Sequence, residues 1–327
     1  MRIFYLIFIT VTLLLSLTAC QKDIDLFVAD PVTNITDTIW QNNIAANAAI
    51  VGLTNELKVQ KLTDSFAYSN AAVVYSSGNI SLIIPANGLT KNNGTVPVGT
   101  IKRESLLIQK KGDFIAMGIP TTINGKLMVT GGAFFLGLKN NNDNILVSQG
   151  NKITVRFNNN LPAQNNRIYN AVIDSATGFF VRWEQNNDTA FNKSFATSTG
   201  YEILTNKLQY VQTAHLLDTV GIAQTTIALK LPANYTNTNT IAYVAFNTIE
   251  SVAGFTANVN ARKFISPLLP VNKPVTIVII SKQGADYYLG SLQTITAFTT
   301  TANPLQELNI TPVKRSLQQI KTFLDSL

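Results

Sequence analysis

The residues that most often carry out chemistry in proteins are scarce in this chain of 327 residues. It contains one cysteine, Cys20, and one histidine, His215. A single histidine excludes a multi-histidine metal site, and no Gly-x-Ser-x-Gly elbow offers it a nucleophile. The sequence also has no phosphate-binding loop and no dinucleotide fingerprint. We therefore predict no catalytic residue, no metal site and no cofactor, and we interpret His215 as a partly exposed strand or loop histidine.

Carboxylates are the remaining source of acid–base chemistry. The 18 acidic residues are thinly spread, and several occur in turn-like contexts, such as Asp143, Asp174 and Asp286. Residues 140–144 superficially look like a calcium loop, but they include one carboxylate and no closing glutamate, which favours an asparagine-rich hairpin tip. Glycoside hydrolysis needs only two carboxylates. We therefore predict that the protein is not an enzyme, with a polysaccharide hydrolase or an accessory protein for glycan degradation as the alternative.

The start of the chain has the pattern of an export signal. Arg2 precedes an almost wholly apolar run, residues 3–17, which is shorter than the roughly 20 residues that cross a bilayer as a helix. The segment closes on Leu17-Thr18-Ala19-Cys20, which resembles the lipobox of bacterial lipoproteins. The resemblance implies that residues 1–19 are a signal peptide and that Cys20 is diacylated, which attaches the protein to a membrane through lipid. The alternative is a free thiol inside an ordinary cleaved leader.

The residues after Cys20 bear on the final location. Gln21 follows the cysteine, and a residue other than aspartate at this position favours the outer membrane under the sorting rule of Gram-negative lipoproteins. Lys22-Asp23 partly resembles the acidic surface-export tag of Bacteroidota-type lipoproteins. We therefore predict a lipid-anchored protein of the outer membrane, and exposure at the cell surface stays open. Residues 20–36 are polar and without periodicity, which is typical of a tether.

The composition favours a β-rich body with a substantial core. Hydrophobic residues make up 46% of the chain and charged residues 13%, while asparagine and threonine are abundant, as in turns and strand surfaces. One cysteine cannot form a disulfide within the chain, so the core alone must stabilise the fold. The net charge is +7, but no basic run alternates with aromatic residues, which argues against a nucleic-acid partner. An anionic partner, such as lipopolysaccharide or an acidic glycan, stays open.

Strand and turn signals recur along the chain. Asn93-Gly94 and Asn124-Gly125 are two-residue turn signals of β-hairpins. Residues 153–157 alternate between apolar and polar, as in a strand with one buried face. Residues 275–280 are apolar on both faces, as in a central strand. The sequence therefore predicts an all-β fold, with one or two β-sandwich domains and a short C-terminal α-helix.

The C-terminal helix is predicted from a capping sequence and from the spacing of the apolar residues that follow it. Thr311 and Pro312 are typical of a helix start. Apolar residues then recur at steps of three and four: Val313, Leu317, Ile320, Leu324 and Leu327. We expect this stripe to dock on the sandwich, with a partner-binding helix as the alternative.

The domain organisation follows from these signals. We predict a signal peptide at 1–19, a lipidated tether at 20–36, an N-terminal segment with a candidate short helix at 37–60, a β-sandwich domain at 61–160, a second β-rich domain at 161–310 and the C-terminal helix at 311–327.

Several motifs together resemble a ZU5-like β-sandwich block of uncharacterised Bacteroidota lipoproteins. They are Ile84-Pro85-Ala86-Asn87, Gly94, Gly99-Thr100, Pro120-Thr121-Thr122, Asn124-Gly125-Lys126-Leu127 and Gly131-Gly132-Ala133-Phe134, continued by Ile168-Tyr169-Asn170-Ala171, Trp183, Leu229-Lys230-Leu231-Pro232 and Asp286-Tyr287-Tyr288-Leu289. The resemblance implies a fold for residues 61–160 and an envelope location, but no established activity. Such proteins tend to have a Trp-Ile-Asn-Cys-Asp type motif where this chain has Tyr210-Val211-Gln212-Thr213-Ala214, so a site built on that cysteine and aspartate is absent.

The leading functional hypothesis is a lipid-anchored, non-catalytic binding or scaffold module whose hairpin tips and asparagine-rich loops contact a glycan or an envelope protein. Candidate stacking surfaces for a ligand are Trp183, Tyr287 and Tyr288, of which at most one tyrosine is expected to be exposed because adjacent strand residues face opposite sides.

Four Asp-Ser/Thr-aliphatic triplets resemble the acceptor for O-glycosylation of exported Bacteroidota proteins. Their acceptor residues are Thr38, Ser175, Thr189 and Thr219. The alternative is that each aspartate begins a turn through its own side-chain hydrogen bonds.

Overall fold

The computed structural model describes residues 38–175, 177–298 and 305–327. The predicted signal peptide, Cys20 and the predicted tether lie outside the described residues. The described part is mostly β, with helices α1 (Ala49–Leu57), α2 (Lys111–Ala116) and α3 (Leu317–Asp325). The predicted all-β fold with a short C-terminal helix is therefore confirmed.

The first part of the chain forms a β-sandwich of fourteen strands. In chain order, β1 to β14 are Leu62–Tyr68, Val73–Ser77, Ile80–Ile84, Leu89–Lys91, Gly99–Ile108, Thr122–Ile123, Lys126–Asn140, Asp143–Val147, Ile153–Asn158, Arg167–Ile173, Phe180–Gln185, Lys193–Ala196, Gly200–Thr205 and Gln209–Leu216.

Two sheets of this first sandwich face each other. The nine-stranded sheet has the order β1-β5-β7-β14-β10-β11, with β4, β6 and β8 at its side, and the five-stranded sheet has the order β12-β13-β9-β3-β2. Their facing side chains form one core, in which Phe134 and Leu136 of the larger sheet pack with Leu82 and Val155 of the smaller one. This core uses only one face of the nine-stranded sheet, because successive strand residues point to opposite sides.

A second sandwich follows. In chain order, β15 to β24 are Gln224–Lys230, Thr240–Phe246, Val252–Gly254, Thr256–Asn258, Lys263–Ile265, Leu269–Pro270, Pro274–Gln283, Asp286–Ile295, Leu305–Asn309 and Val313–Arg315. One sheet has the order β18-β19-β15-β20, with β23 parallel to β15, and the other has the order β17-β16-β21-β22-β24. Ile227, Val244, Phe264 and Ile277 pack in the core between them.

A third core joins the two sandwiches. It combines the outer face of the nine-stranded sheet, the outer face of the β16–β21–β22 sheet and all three helices. Leu53 of α1, Phe114 of α2 and Ile320 of α3 are each 0% exposed within it. As residues 275–280 predict, β21 is buried on both faces: Ile277 contributes to the second core and Val278 to the third.

The change from one sandwich to the other comes later than predicted. Strands β10, β13 and β14 pair with β14, β9 and β7 respectively, so the predicted boundary after residue 160 lies inside the first sandwich. The chain passes to the second sandwich between Leu216 and Gln224. Strand pairing between residues far apart in the sequence decides this boundary. The local alternation of apolar and polar residues predicts strands but does not indicate which strands pair.

The C-terminal helix also begins later than predicted. Val313, placed in the predicted helical stripe, lies in β24, which pairs with β22, and it is 48% exposed. The helix is capped at Ser316, whose hydroxyl accepts the Gln319 backbone N–H, while the Gln319 side chain accepts the Ser316 backbone N–H. This capping box satisfies two backbone amide donors at the start of the helix. Ile320 and Leu324 are buried in the third core, so the helix docks on the sandwiches.

Candidate functional site

A polar groove of about 840 Å³ lies at one end of the nine-stranded sheet, on its outer face. We call it the asparagine–lysine groove after side chains that line it: Asn92, Asn141, Asn142, Asn144, Asn206, Lys102, Lys139 and Lys207. Strands β5, β7 and β8 and the turn between β13 and β14 supply most of these residues. Their side chains combine amides, which donate and accept hydrogen bonds, with ammonium groups.

The β7–β8 hairpin tip forms one wall of the groove. Asn140 is 5% exposed, and its side-chain amide donates to the carbonyl oxygens of Val98 and Thr100, each at 3.1 Å. Asn141 follows with φ of 54°, a left-handed conformation that asparagine tolerates better than most residues. The buried Asn140 thus holds the tip in place, while the next amides are exposed, as predicted for an asparagine-rich hairpin tip.

Positive charge is concentrated at the groove without full compensation. Lys102 of β5 lies directly opposite Lys139 of β7, an arrangement in which two like charges repel. Among the described residues that line the groove, Glu104 is the one carboxylate, and it lies 3.9 Å from Lys139 and 3.8 Å from Lys61. Lys102 and Lys207 form no ion pair with any described residue. The three lining lysines and one glutamate leave a local net charge of +2.

The floor of the groove has no aromatic ring available for stacking, but it leaves space for a ligand. Phe135 is 6% exposed, and the Lys61 ammonium lies 3.4 Å from the centre of its ring. Burial lowers the pKa of Lys61, and the nearby Glu104 opposes this shift. Gly137 of β7 lies beside this ring and keeps the space above the strand free of a side chain. A ligand here would meet ammonium and amide groups and no exposed aromatic face.

Paired carboxylates were the expected mark of the hydrolase alternative. Within residues 38–175, 177–298 and 305–327, no group of three or more histidine, cysteine, aspartate or glutamate side chains could hold a metal ion. A second polar cavity, of about 600 Å³, also has one lining carboxylate, Glu184, which is paired with Arg182 at 2.5 Å. Neither polar cavity brings together an acid and a base for glycoside hydrolysis.

The candidate stacking residues do not form a binding surface together. Trp183 is 1% exposed in the third core, where its indole Nε1–H donates to the Pro120 carbonyl at 2.9 Å. Although Trp183 also contributes to the lining of the second polar cavity, its ring has almost no exposed surface for stacking, because the second sandwich and the helices cover the sheet face on which it lies. A large aromatic side chain is buried more often than it is displayed, and this tryptophan follows that rule.

Tyr287 and Tyr288 point to opposite faces of β22, as expected for neighbouring strand residues. The Tyr287 hydroxyl donates to Glu56 at 2.8 Å, and this bond raises the pKa of Tyr287. The Tyr288 ring meets Tyr235 edge-on, with the ring centres 5.8 Å apart. Both tyrosines are half-buried and engaged with other side chains. Neither lies at the asparagine–lysine groove.

The candidate acceptors for O-glycosylation differ in exposure. Thr38, Ser175 and Thr189 are exposed, whereas Thr219 is half-buried. Two of the neighbouring aspartates form turns. Asp174 accepts from the Thr177 backbone N–H at 2.7 Å, and Asp218 accepts from the Val220 backbone N–H at 3.0 Å. These bonds are the ones that the turn interpretation requires, while the candidate acceptors themselves stay predictions.

The single histidine is part of a side-chain pair. His215 is half-buried on β14, and its Nδ1 lies 2.7 Å from Asn166 Oδ1. Burial lowers the pKa of His215. Its placement in a strand agrees with the interpretation of an ordinary strand histidine, and it lies away from the groove lining.

Sequence reasoning missed the groove because its lysines come from distant strands. Lys102 and Lys139 are 37 positions apart in the numbering, yet they are direct cross-strand neighbours. The one local signal was the asparagine run at 140–144, which indicated a hairpin tip. No pattern in the sequence placed Lys207 beside it.

A scan against protein-family models and a search of curated proteins found no match to this chain. The resemblance to a ZU5-like block and to Bacteroidota lipoproteins therefore stays a prediction. None of the helices in the described part has the length and apolar character needed to cross a bilayer.

Proposed function

We propose that the protein is a lipid-anchored module of the outer membrane that binds an acidic glycan, without catalysis, in the asparagine–lysine groove. The observation that supports this proposal best is the pair of uncompensated cations, Lys102 and Lys207, among exposed amides. A carboxylate or phosphate group on a sugar would neutralise these ammonium groups and relieve the repulsion between Lys102 and Lys139.

The amides favour a sugar over a simple anion. Each asparagine side chain has two donor positions and one acceptor oxygen, so it matches hydroxyl groups that both donate and accept. Asn141, Asn142 and Asn144 follow one another along one wall of the groove. A ligand with several hydroxyl groups would use this row, whereas an isolated ion would leave it solvated.

Binding is favoured over hydrolysis by the charge balance of the groove. A glycosidase needs one carboxylic acid and one carboxylate at the scissile bond, separated by roughly 5 to 9.5 Å. Glu104 is the single carboxylate among the described lining residues, and its neighbours are ammonium groups, 3.9 Å away on Lys139 and 3.8 Å away on Lys61. The hydrolase alternative would require a second carboxylate from outside the groove lining.

A nucleic acid is disfavoured as the anionic partner. Single strands are usually held by exposed aromatic rings on which bases stack. The aromatic ring in this groove, Phe135, is buried and covered by the Lys61 ammonium. The groove therefore offers charge and hydrogen bonds without a stacking platform.

Calorimetric titration tests the glycan proposal. We expect the purified chain to bind an alginate tetrasaccharide, which carries carboxylates, and not maltotetraose, which is neutral. The affinity for alginate should fall as salt rises, because the contributing charges are exposed. The double substitution Lys102→Gln with Lys207→Gln should weaken binding by about tenfold or more, since charge-assisted hydrogen bonds are lost.

A matched control distinguishes binding in the groove from nonspecific attraction of an anion to the positive charge of the protein. Lys193 lies on β12 of the five-stranded sheet, is exposed and faces the apolar Leu204 across the strand pair. Lys193→Gln removes the same charge but should leave alginate binding unchanged. Equal weakening by both changes would refute a defined site, and tighter binding of an oligonucleotide than of alginate would refute the glycan assignment.

The membrane anchor is tested separately. Mass spectrometry of the protein recovered from cells should find a diacyl modification on Cys20 and a mature chain that begins at this residue. Cys20→Ser should release the protein from the membrane fraction. An unmodified Cys20 in protein recovered without detergent would overturn the proposed location but not the glycan site.

A further inference from the structure

A second cavity of a different character lies where the two sandwiches meet. Its volume is about 500 Å³, and it is lined by α1 and the residues just before it, by the turn after α2, by residues 177–180 and by β16. The described residues of its lining include Ile50, Thr54, Met117, Phe179, Phe180 and Tyr243, and none of them is charged. A volume of this size lies within the range of small-molecule sites in proteins.

One polar group at the floor of this cavity has no partner. Tyr243 is 8% exposed, and its hydroxyl makes no hydrogen bond with a residue that the structure describes. Burial raises the pKa of Tyr243 to about 12, so the phenol is protonated at neutral pH and can donate. The hydroxyl is not among the fully enclosed unsatisfied atoms of the described residues, so a molecule in the cavity can reach it and accept its hydrogen bond.

Gly118 and Thr54 lie beside this hydroxyl. Gly118 has φ of +67°, and a Cβ at this position would lie 3.8 Å from the Tyr243 hydroxyl and 3.7 Å from the Thr54 methyl group. The Thr54 hydroxyl already donates to the Ile50 carbonyl at 2.8 Å. Tyr243 is therefore the lining hydroxyl at the floor that is free to bind a ligand.

We propose that this cavity binds an uncharged, mostly apolar small molecule that places one carbonyl or hydroxyl oxygen against the Tyr243 hydroxyl. The apolar walls would bury its hydrocarbon part, and the phenol would gain the hydrogen bond it lacks. An ionised ligand is disfavoured, because no lining side chain would compensate its charge. This site is separate from the asparagine–lysine groove, and neither depends on the other.

Competition between matched probes tests the site. We expect Nile red, which is uncharged and has one carbonyl oxygen, to bind the purified full-length chain with a saturable rise in fluorescence. In displacement, 1-decanol should compete better than decane, which has the same chain without the oxygen. Tyr243→Phe removes only the hydroxyl. It should lower the apparent affinity for 1-decanol by about threefold to tenfold and leave the apparent affinity for decane unchanged.

A second variant keeps the test decisive. Ala46 lines the cavity and is exposed, so Ala46→Trp should fill the entrance without disturbing a core and abolish the saturable binding of Nile red. Asn47 is also exposed but does not line the cavity, and Asn47→Trp is the matched control that should bind as the original chain does.

The outcomes either support or overturn the site. The proposal fails if Nile red shows no saturable binding, or if Ala46→Trp and Asn47→Trp behave alike. It also fails if Tyr243→Phe leaves the preference for 1-decanol over decane intact, because the oxygen would then be recognised elsewhere. Loss of glycan binding in the groove variants has no bearing on any of these results.

Discussion

Along strands β5 and β7, the outward-facing side chains change from exposed and polar to buried and apolar. This change divides one face of the sheet into two halves. On the outer face, β5 presents Lys102 and Glu104 to solvent and then Leu106 and Ile108 to the third core. The partner β7 does the same in the opposite direction, from Lys139 and Gly137 to the buried Phe135 and Ala133. The buried half lies under the second sandwich and the helices; the exposed half forms the asparagine–lysine groove.

The contrast teaches that one sheet face can serve as core and as binding surface at once. In the buried half, side chains gain stability by leaving water. In the exposed half, Lys102 forms no ion pair with a described residue and lies directly opposite Lys139, which costs stability. Residues that cost stability while lining a groove are expected where a ligand supplies the missing interaction.

The largest expected effect is in the buried half. Trp183→Ala should destabilise the protein by about 3–5 kcal/mol, because it removes a large buried side chain and leaves the Pro120 carbonyl without its indole donor. Urea unfolding measures this loss. Phe195→Ala on β12 is the control, since Phe195 is 46% exposed and should cost far less. A similar cost for both would mean that Trp183 is not a core residue.

The anchor of the hairpin tip should give the next largest effect. Asn140→Ala removes the amide that donates to Val98 and Thr100 and should cost about 1–3 kcal/mol, because it leaves part-buried carbonyls unpaired. It should also loosen the wall of the groove and weaken alginate binding. Asn142→Ala, at an exposed neighbour, should leave unfolding unchanged and affect binding alone.

A charge substitution in the exposed half should raise stability while it lowers binding. Lys102→Gln removes the repulsion with Lys139 and should stabilise the chain by about 0.2–1 kcal/mol at low ionic strength. The gain should shrink in salt, because exposed charges are screened. Lys193→Gln, which has no charged residue opposite it, should leave unfolding unchanged. Destabilisation by Lys102→Gln would contradict the proposed repulsion between Lys102 and Lys139.

The smallest effect concerns the helix that covers the buried half. Glu56 of α1 accepts from Lys282 at 2.6 Å and from the Tyr287 hydroxyl at 2.8 Å, and the bond to Lys282 lowers the pKa of Glu56. A lowered carboxylate pKa stabilises the fold above the unfolded pKa, and this stability is lost as pH falls through the folded value.

Unfolding at two pH values checks this contribution. The Glu56 side chain is 35% exposed, so solvent screening limits the effect to below about 1 kcal/mol. Glu56→Gln should therefore reduce stability slightly at pH 7, and the difference from the original chain should shrink as the pH falls through the lowered pKa of Glu56. A penalty that does not shrink at the lower pH would point to lost packing. Glycan binding should not change in either case, because Glu56 does not line the groove.

The sequence predicted part of this architecture well. Local alternation and turn residues indicated strands, and both faces of β21 are buried as the apolar run at 275–280 predicts. The candidate helix within 37–60 is present as Ala49–Leu57. The predicted domain boundary and the start of the last helix differ from the structure, because pairing to β7 and β9 and the capping box at Ser316 override the local pattern.

What the amino-acid order determines by itself is the alternation of side chains along each strand, the positions of the tight turns and the scarcity of residues for bond-breaking chemistry. Only the tertiary structure decides which half of a face is covered. Packing of the second sandwich and the helices against the sheet buries Trp183 in the third core. Pairing of β5 with β7 places Lys102 opposite Lys139. The physical reason is that alternation assigns a residue to one side of a sheet, whereas burial depends on what packs against that side.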